Sequence, residues 1–147
     1  MVKKKESKKA KPRDIMTGKR RIAIARAKVK KGTGMVRINS MPLEYWGNEY
    51  LRMWIREPLV LAGDLSNNVD VDVSVASGGV VGQAEAVRMA IAKGFVNYFK
   101  DKDLRDVYVK YDRNLLVYDP RRNETHHGSG RGASKRGSRR HRQRSKR

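Results

Sequence analysis

Residues 69–95 read VDVDVSVASGGVVGQAEAVRMAIAKGF, and they carry the strongest structural signal in the chain. Valine alternates with Asp or Ser over residues 69–75, which is the two-residue period of a half-buried β-strand. Apolar residues then recur at helical spacing from Ala84 to Phe95. The sequence therefore predicts a strand, a glycine-rich loop and a long helix in that order, as in an α/β domain.

The residues upstream of this unit predict a further strand and a turn. Residues 21–31 alternate, with Ala23, Ala25 and Ala27 on one face and a largely basic second face. The Gly32-Thr33-Gly34 turn leads into an apolar alternation over residues 36–38. This arrangement predicts a β-hairpin.

Two more helices and a last strand complete the expected domain. Asn48 is placed to cap a helix that runs through Glu57, and Pro58 is expected to break that helix or to begin a new first turn. A second helical pattern covers residues 104–111. The short apolar run Leu115 to Tyr118 predicts a final strand.

Charge is distributed unevenly along the 147 residues, whose formal net charge is +20. Residues 1–20 carry 9 basic and 2 acidic side chains, residues 21–118 carry 15 and 11, and residues 119–147 carry 11 and 2. The predicted organisation is a basic N-terminal extension (1–18), a globular domain (19–120) and an extended basic C-terminal tail (121–147). Such a charge requires a polyanionic partner, either nucleic acid or an anionic membrane surface.

Several classes of protein are disfavoured by what the chain lacks. It contains no cysteine, which rules out a disulfide framework and a thiolate metal site. No apolar run approaches the roughly 20 residues that cross a bilayer, and the basic N-terminus has no apolar stretch of the secretory kind. We therefore expect a cytoplasmic protein with no membrane partner.

The glycine-rich loop is the one motif that suggests nucleotide chemistry. No Lys follows Gly82, so it is not a Walker A loop, and Gly78 and Gly79 are adjacent, unlike the dinucleotide fingerprint. The loop could accept an RNA phosphate at the helix N-terminus or simply permit the turn, and both interpretations stay open.

Catalytic and metal sites find no support in the sequence. All three histidines, His126, His127 and His141, lie in the basic tail, where no packed surroundings would orient a catalytic triad, and their spacing is not that of a zinc site. We predict no catalytic residue, no metal and no cofactor, and hence no enzyme.

Five blocks of sequence, in order, carry a specific family resemblance. They are GKRRIAIARAKVKKGTGMVRIN (18–39), EPLVLAG (57–63), SGGVVGQAEAVRMAIAKGF (77–95), KYDRNLLVYDPRR (110–122) and SKR (145–147). Over roughly residues 18–147 the chain resembles the universal small-subunit ribosomal protein number nine, in its archaeal and eukaryotic form. Two other classes compete: a chromosomal DNA-compacting protein and an enzyme of the small-molecule kinase superfamily.

The resemblance implies both a fold and a function. The implied fold is a two-layer α/β (α+β) domain, a four-stranded sheet with helices and a left-handed βαβ crossover, followed by the extended tail. The implied function is that of a structural constituent of the small-subunit head. Its partners would be small-subunit ribosomal RNA, neighbouring head proteins and, through the tail, the anticodon stem-loop of peptidyl-site tRNA.

Residue roles are carried over by position. The tail tip expected to meet tRNA consists of Ser145, Lys146 and Arg147. The tail residues expected to neutralise ribosomal RNA phosphates are Arg121, Arg122, Arg131, Lys135, Arg136, Arg139, Arg140, Arg142 and Arg144. In the globular part, the basic residues and the glycine loop assigned to ribosomal RNA are Lys19, Arg20, Arg21, Arg26, Lys28, Lys30, Arg37, Gly78, Gly79, Gly82, Gln83, Arg88 and Arg113.

Overall fold

The structure is a computed structural model, and it describes residues 15–121. Within that range the chain forms one five-stranded sheet and three α-helices. The strands are β1 (Ile15–Arg20), β2 (Ala23–Lys31), β3 (Val36–Ile38), β4 (Met41–Pro42) and β5 (Val69–Ala76). The helices are α1 (Glu49–Ala62), α2 (Val80–Phe99) and α3 (Lys102–Tyr111).

The strands lie in the order β1-β2-β5-β3-β4, so that β5, the strand with alternating valines, is central. It pairs antiparallel with β2 and parallel with β3. The unit β3-α1-β5 is therefore a crossover between neighbouring parallel strands, and its left-handedness stays a prediction. The predicted α/β class is confirmed, but the sheet has five strands where four were expected, because β1 and the two-residue strand β4 were not predicted while the predicted strand at residues 115–118 is absent.

The predicted hairpin across Gly32-Thr33-Gly34 is wrong, because β5 lies between β2 and β3. The loop passes over the start of β5 instead of returning beside β2. Asp70 of β5 accepts hydrogen bonds from the amides of Thr33 (2.8 Å) and Met35 (3.0 Å), and Gly32 donates its amide hydrogen to the Asn68 carbonyl. Two other hairpins form instead: β1 is joined to β2 through Arg21 and Ile22, and β3 is joined to β4 through Asn39 and Ser40.

Helix α1 continues four residues beyond Pro58 to Ala62, so the predicted break does not occur. Asn48 does stand at the N-cap position, although its side chain makes no capping hydrogen bond. Pro58 is buried, and its carbonyl accepts a hydrogen bond from the Tyr108 hydroxyl at 2.8 Å. Packing against α3 thus holds the proline inside the helix despite its missing amide hydrogen.

The predicted strand from Leu115 to Tyr118 is also absent. Residues 113–115 form a 3-10 turn, in which the Asp112 carboxylate accepts the Asn114 amide hydrogen at 2.8 Å. Leu115 is fully buried in the main hydrophobic core. Its apolar character therefore reflects burial by the turn, and not strand formation.

One face of the sheet packs against α2, and small residues set how closely it does so. Ala23, Ala25 and Ala27 of β2 are buried on that face, as predicted, together with the valines of β5. A Cβ at Gly18 of β1 would lie 2.0 Å from the carbonyl oxygen of Ala86 in α2. The backbones of β1 and α2 are consequently in direct contact. The sheet is therefore accessible mainly on its opposite face.

Candidate nucleic-acid interface

The opposite face of the sheet is not covered by any helix in the described part of the chain. Strand register places alternate residues of β1, β2, β3 and β5 side by side on it, and none of these side chains is buried. We call this surface the open face. Its residues are Ile15, Thr17, Lys19, Ile24, Arg26, Lys28, Lys30, Arg37, Asp70, Asp72, Ser74 and Ala76.

Two aspartates interrupt the basic character of the open face. Asp72 accepts a hydrogen bond from the Lys30 ammonium group at 2.6 Å, and its other oxygen lies 4.0 Å from the Arg37 guanidinium. Hydrogen bonds from the amides of Thr33 and Met35 to Asp70 lower the pKa of that carboxyl group. Asp70 therefore accepts hydrogen bonds from the loop that follows β2, while Asp72 pairs with Lys30 and Arg37.

The remaining cations of the open face have no carboxylate partner among residues 15–121. Lys19 lies on β1, and Arg26 and Lys28 follow each other on the same face of β2. With Arg37 and Asp72, Arg26 and Lys28 line a shallow groove that crosses the sheet. Lys19, Arg26 and Lys28 are therefore the predicted RNA-binding residues of the sheet that are available to an outside anion.

The glycine loop is shaped by close packing as well as by its turn. Gly78 has φ +77°, and a Cβ there would lie 2.9 Å from the Cβ of Ala23. Helix α2 begins directly after Gly79, and Gln83 donates its side-chain amide to the Ser77 carbonyl at 3.2 Å. Glycine is therefore required at residue 78 for structural reasons, and phosphate binding by the loop stays a prediction.

Basic side chains stand beside this loop. Arg20, Arg21 and Ile22 line a cleft together with the loop glycines and Glu85. Arg21 is exposed and adopts φ +52° in the turn between β1 and β2. The structure thus brings Arg21 and Gly78, Gly79 and Gly82 together at one end of the domain.

Arg20 and Arg88, which were predicted to bind RNA, form ion pairs between separate elements of the domain. Arg20 contacts the carboxylates of Glu85 and Asp119. Arg88 of α2 contacts Glu57 of α1 and, at 3.1 Å, Asp112. With only 18% of its side chain exposed, Arg88 connects helices more readily than it could reach RNA.

The last described residues form a compact arrangement around Asp119. Its carboxylate accepts hydrogen bonds from the backbone amide and the guanidinium of Arg121, both at 2.9 Å. The Arg121 amide, acting against partial burial, holds the pKa of the Asp119 carboxyl below its usual value. Arg113 lies apart from this cluster on an exposed turn.

The remaining predicted site residues lie outside the described range. They are Arg122, Arg131, Lys135, Arg136, Arg139, Arg140, Arg142, Arg144, Ser145, Lys146 and Arg147. Thr17 and Ser74 belong to the open face but were not predicted as site residues. Only the cross-strand register, which the sequence does not display, brings their hydroxyl groups beside Arg26.

Comparison with known proteins follows the chain well into its basic tail. A family model described as ribosomal protein S9/S16 matches residues 18–147. The chain belongs to the ribosomal protein S9/S16 family. The resemblance that the five sequence blocks indicated is thereby confirmed.

Individual members of the S9/S16 family show the same relationship. The chain is 50% identical over 110 residues to the small ribosomal subunit protein uS9 of Pyrobaculum aerophilum, which covers 75% of this chain and 78% of that protein. It is 48% identical over 109 residues to the protein of the same name from Methanococcus maripaludis strain S2, covering 74% and 81%. For Methanothrix thermoacetophila the identity is 48% over 117 residues, covering 80% and 89%.

Membership of the S9/S16 family makes the chain a structural ribosomal protein and not an enzyme, as predicted. Its place is the cytoplasmic ribosome. In residues 15–121 no helix has the length and apolar character to cross a membrane. The same residues contain no group of His, Asp or Glu side chains arranged to hold a metal ion.

Proposed function

We propose that this S9/S16 protein is a structural constituent of the small ribosomal subunit, located in its head. There it binds ribosomal RNA through its domain and basic extensions, and it contacts the anticodon stem-loop of peptidyl-site tRNA through its C-terminal residues. The observation that carries the proposal is the 50% identity, over 75% of the chain, to a relative named as a small-subunit protein.

The geometry of the described domain supports binding to RNA. The helices cover one face of the sheet, and the other face presents Lys19, Arg26 and Lys28 without carboxylate partners among residues 15–121. Cations that neutralise phosphates release counterions from the nucleic acid, and this release drives association. The open face is therefore suited to a polyanion.

The composition of the tail supports the same partner. Between Asp119 and Arg147 there are 11 basic and 2 acidic side chains, and most of the basic ones are arginines. The planar guanidinium group can donate two parallel hydrogen bonds to phosphate oxygens. These properties favour contact with ribosomal RNA along the tail and with tRNA at Ser145, Lys146 and Arg147.

Exposed apolar side chains support contact with neighbouring head proteins. On the outer side of α1, Met53 is 58% exposed and Val60 is 76% exposed, and Tyr45 just before the helix is 74% exposed. Tyrosine and methionine are enriched at protein interfaces relative to the rest of the surface.

Ribosomal location can be tested by co-sedimentation. The full-length protein should sediment with small subunits in a lysate and be released when RNase is added, because RNA holds it there. A protein that follows bulk DNA, and that DNase releases instead, would favour the chromosomal alternative.

The tRNA contact is tested with purified small subunits that carry full-length protein, Arg147→Ala, or a chain ending at Arg144. A well-formed hydrogen bond to a charged phosphate is worth about 1.5 to 3 kcal/mol, so peptidyl-site tRNA affinity should fall by roughly tenfold to a hundredfold. Assembly should survive, since the tip contributes only 2 of the 11 basic side chains in residues 119–147.

A matched control is Arg105→Ala, which removes an exposed arginine of α3 that has no ion-pair partner among the described residues. This variant should bind tRNA like the full-length protein. Equal tRNA affinity for all four kinds of subunit, with the protein shown to be present in each, would limit the function to an RNA scaffold.

A further inference from the structure

We propose that the open face carries two groups of cations, of which only Lys19, Arg26 and Lys28 bind RNA, through the sugar-phosphate backbone and not through the bases. Asp72 instead pairs with the second group, Lys30 and Arg37, as a phosphate would. This proposal rests on the proposed function, and it specifies which side chains and which part of the RNA meet.

The first group of cations, Lys19, Arg26 and Lys28, lies on the neighbouring strands β1 and β2. Arg26 and Lys28 are two residues apart on one strand, which places their side chains on the same face about 6.6 Å apart along β2. Lys19 stands on β1, whose register with β2 pairs it with Ile24. No carboxylate of residues 15–121 pairs with these three cations, so each can meet a phosphate without first losing an internal partner.

Asp72 lies on the central strand β5, where strand register places it between Lys28 of β2 and Arg37 of β3. Its carboxylate is nevertheless turned towards Lys30, at 2.6 Å, with Arg37 at 4.0 Å. A phosphate approaching Lys30 or Arg37 must compete with this carboxylate and is also repelled by its negative charge. The charges of Lys30 and Arg37 are therefore partly neutralised by a carboxylate of the domain itself.

No side chain of the open face is aromatic. Sheets that bind the bases of single-stranded RNA commonly stack those bases on aromatic rings. The unpaired groups are instead donors: ammonium, guanidinium and the Thr17 and Ser74 hydroxyls. Donors without stacking platforms fit phosphate and sugar oxygens, which makes binding independent of base identity.

Lys28→Gln and Lys30→Gln form a matched pair, since both remove one lysine charge from the same face of the same strand. Each is made in the full chain, and binding to a small-subunit ribosomal RNA transcript, to poly(U) and to poly(A) is measured across a range of salt concentrations. Each phosphate contact on single-stranded RNA contributes about −0.7 to the slope of log K against log salt. Lys28→Gln should reduce the slope by about that amount, and Lys30→Gln should change it much less.

Asp72→Asn tests the role of the aspartate directly. Removing its charge frees Lys30 and Arg37, so RNA binding should tighten and its salt dependence should become steeper. In the Asp72→Asn background, Lys30→Gln should now weaken binding about as much as Lys28→Gln does. This non-additivity is a double-mutant cycle between residues 30 and 72.

The outcomes separate this proposal from the proposed function. Equal slopes for Lys28→Gln and Lys30→Gln, or no tightening by Asp72→Asn, would overturn the division of the cations into two groups. An effect of Lys28→Gln that differs between poly(U) and poly(A) would overturn backbone recognition. Failure of the unaltered protein to bind the transcript or to sediment with small subunits would instead overturn the proposed function.

Discussion

Arg20, at the end of the first strand, forms an ion pair with Asp119, which lies 99 residues further along the chain. Glu85 of α2 contacts the same guanidinium, and Asp119 also holds the backbone amide of Arg121 at 2.9 Å. One carboxylate thus ties the last described residues to the sheet and, through Arg20, to the main helix. The point at which the chain leaves the domain is therefore fixed by charge pairing.

The first prediction is that Asp119→Asn lowers the free energy of unfolding above pH 4. The free energy of unfolding of the variant should also depend less on pH between pH 6 and pH 2. Because the pKa of the Asp119 carboxyl is lowered in the folded protein, its contribution is present above the unfolded value of about 3.9 and disappears as the pH falls through the folded value. The free energy of unfolding, measured by urea denaturation from pH 6 to pH 2, should fall less steeply for the variant.

Asp106→Asn is the control for this measurement, because the Asp106 side chain is exposed on α3 and its carboxylate has no hydrogen bond or ion pair among the described residues. Asp70→Asn should act like Asp119→Asn, since the pKa of Asp70 is lowered as well. An acid profile unchanged by Asp119→Asn would show that the contacts of this carboxylate with Arg121 and Arg20 contribute no stability.

The second prediction is that Gly18→Ala destabilises the domain by about 1–3 kcal/mol or more, because the new Cβ would lie 2.0 Å from a backbone oxygen of α2. The backbone there cannot turn aside as a side chain could. Gly79→Ala is the matched control, since a Cβ at Gly79 meets nothing within 4 Å. Thermal unfolding of both variants measures the difference, and a similar Tm for the two would contradict close contact between β1 and α2.

The third prediction is that Tyr108→Phe lowers the free energy of unfolding at pH 7 by about 0.5–1.5 kcal/mol, the usual worth of one intramolecular hydrogen bond. The lost bond is the one from the buried Tyr108 hydroxyl to the carbonyl of Pro58. Burial raises the pKa of this phenol, so its ionisation opposes folding once the pH rises above the unfolded value of about 10.

Wild-type protein should consequently lose stability between pH 9.5 and pH 11 faster than Tyr108→Phe does, on the scale of about 1.4 kcal/mol for each pH unit above the unfolded pKa. Tyr111→Phe, at an exposed position in the same helix, is the control. Parallel alkaline profiles for wild type and Tyr108→Phe would contradict burial of the phenol.

The fourth prediction is that Arg88→Gln destabilises the helix layer by about 1–3 kcal/mol, because it leaves the carboxylates of Glu57 and Asp112 near one another without their shared cation. Arg105→Gln, on the outer side of α3, should leave stability within about 0.5 kcal/mol of wild type. Urea denaturation at pH 7 compares the two. An equal effect of both changes would mean that the contacts of Arg88 are too exposed to contribute.

The sequence predicted best those elements that one periodicity describes completely. β5 and α2 are found as expected, because buried residues alternate along β5 and recur at helical spacing from Ala84 to Phe95. β1 was missed, since only two of its six residues, Ile15 and Met16, are large and apolar, and a glycine and two cations end it. The hairpin at residues 32–34 failed for a different reason: strand pairing is a long-range property, and β5 inserts between two strands that are neighbours in sequence.

The candidate site was predictable as a set of cations but not as a surface. Alternation along β2 correctly placed Arg26, Lys28 and Lys30 on one face. It could not show that Asp72, 42 residues from Lys30, would pair with that lysine. Arg20 was likewise predicted from its charge alone, while its partners Glu85 and Asp119 come from distant parts of the chain. RNA binding by Arg20, Arg26, Lys28 and Lys30 stays a prediction.

The central place of β5 has a consequence for synthesis of the chain. β5 joins β2 to β3, yet it is the last strand to be made, and α2, which covers the sheet, follows it. Until then the β1-β2 and β3-β4 hairpins are separate two-stranded ribbons, which are at best marginally stable in water. At about 5–20 residues per second, roughly 2 to 9 seconds pass between synthesis of the end of β2 and synthesis of the end of β5. The alanine-lined surface of β2 stays uncovered beyond that interval, until α2 has also been made, so the core of the domain closes late in synthesis.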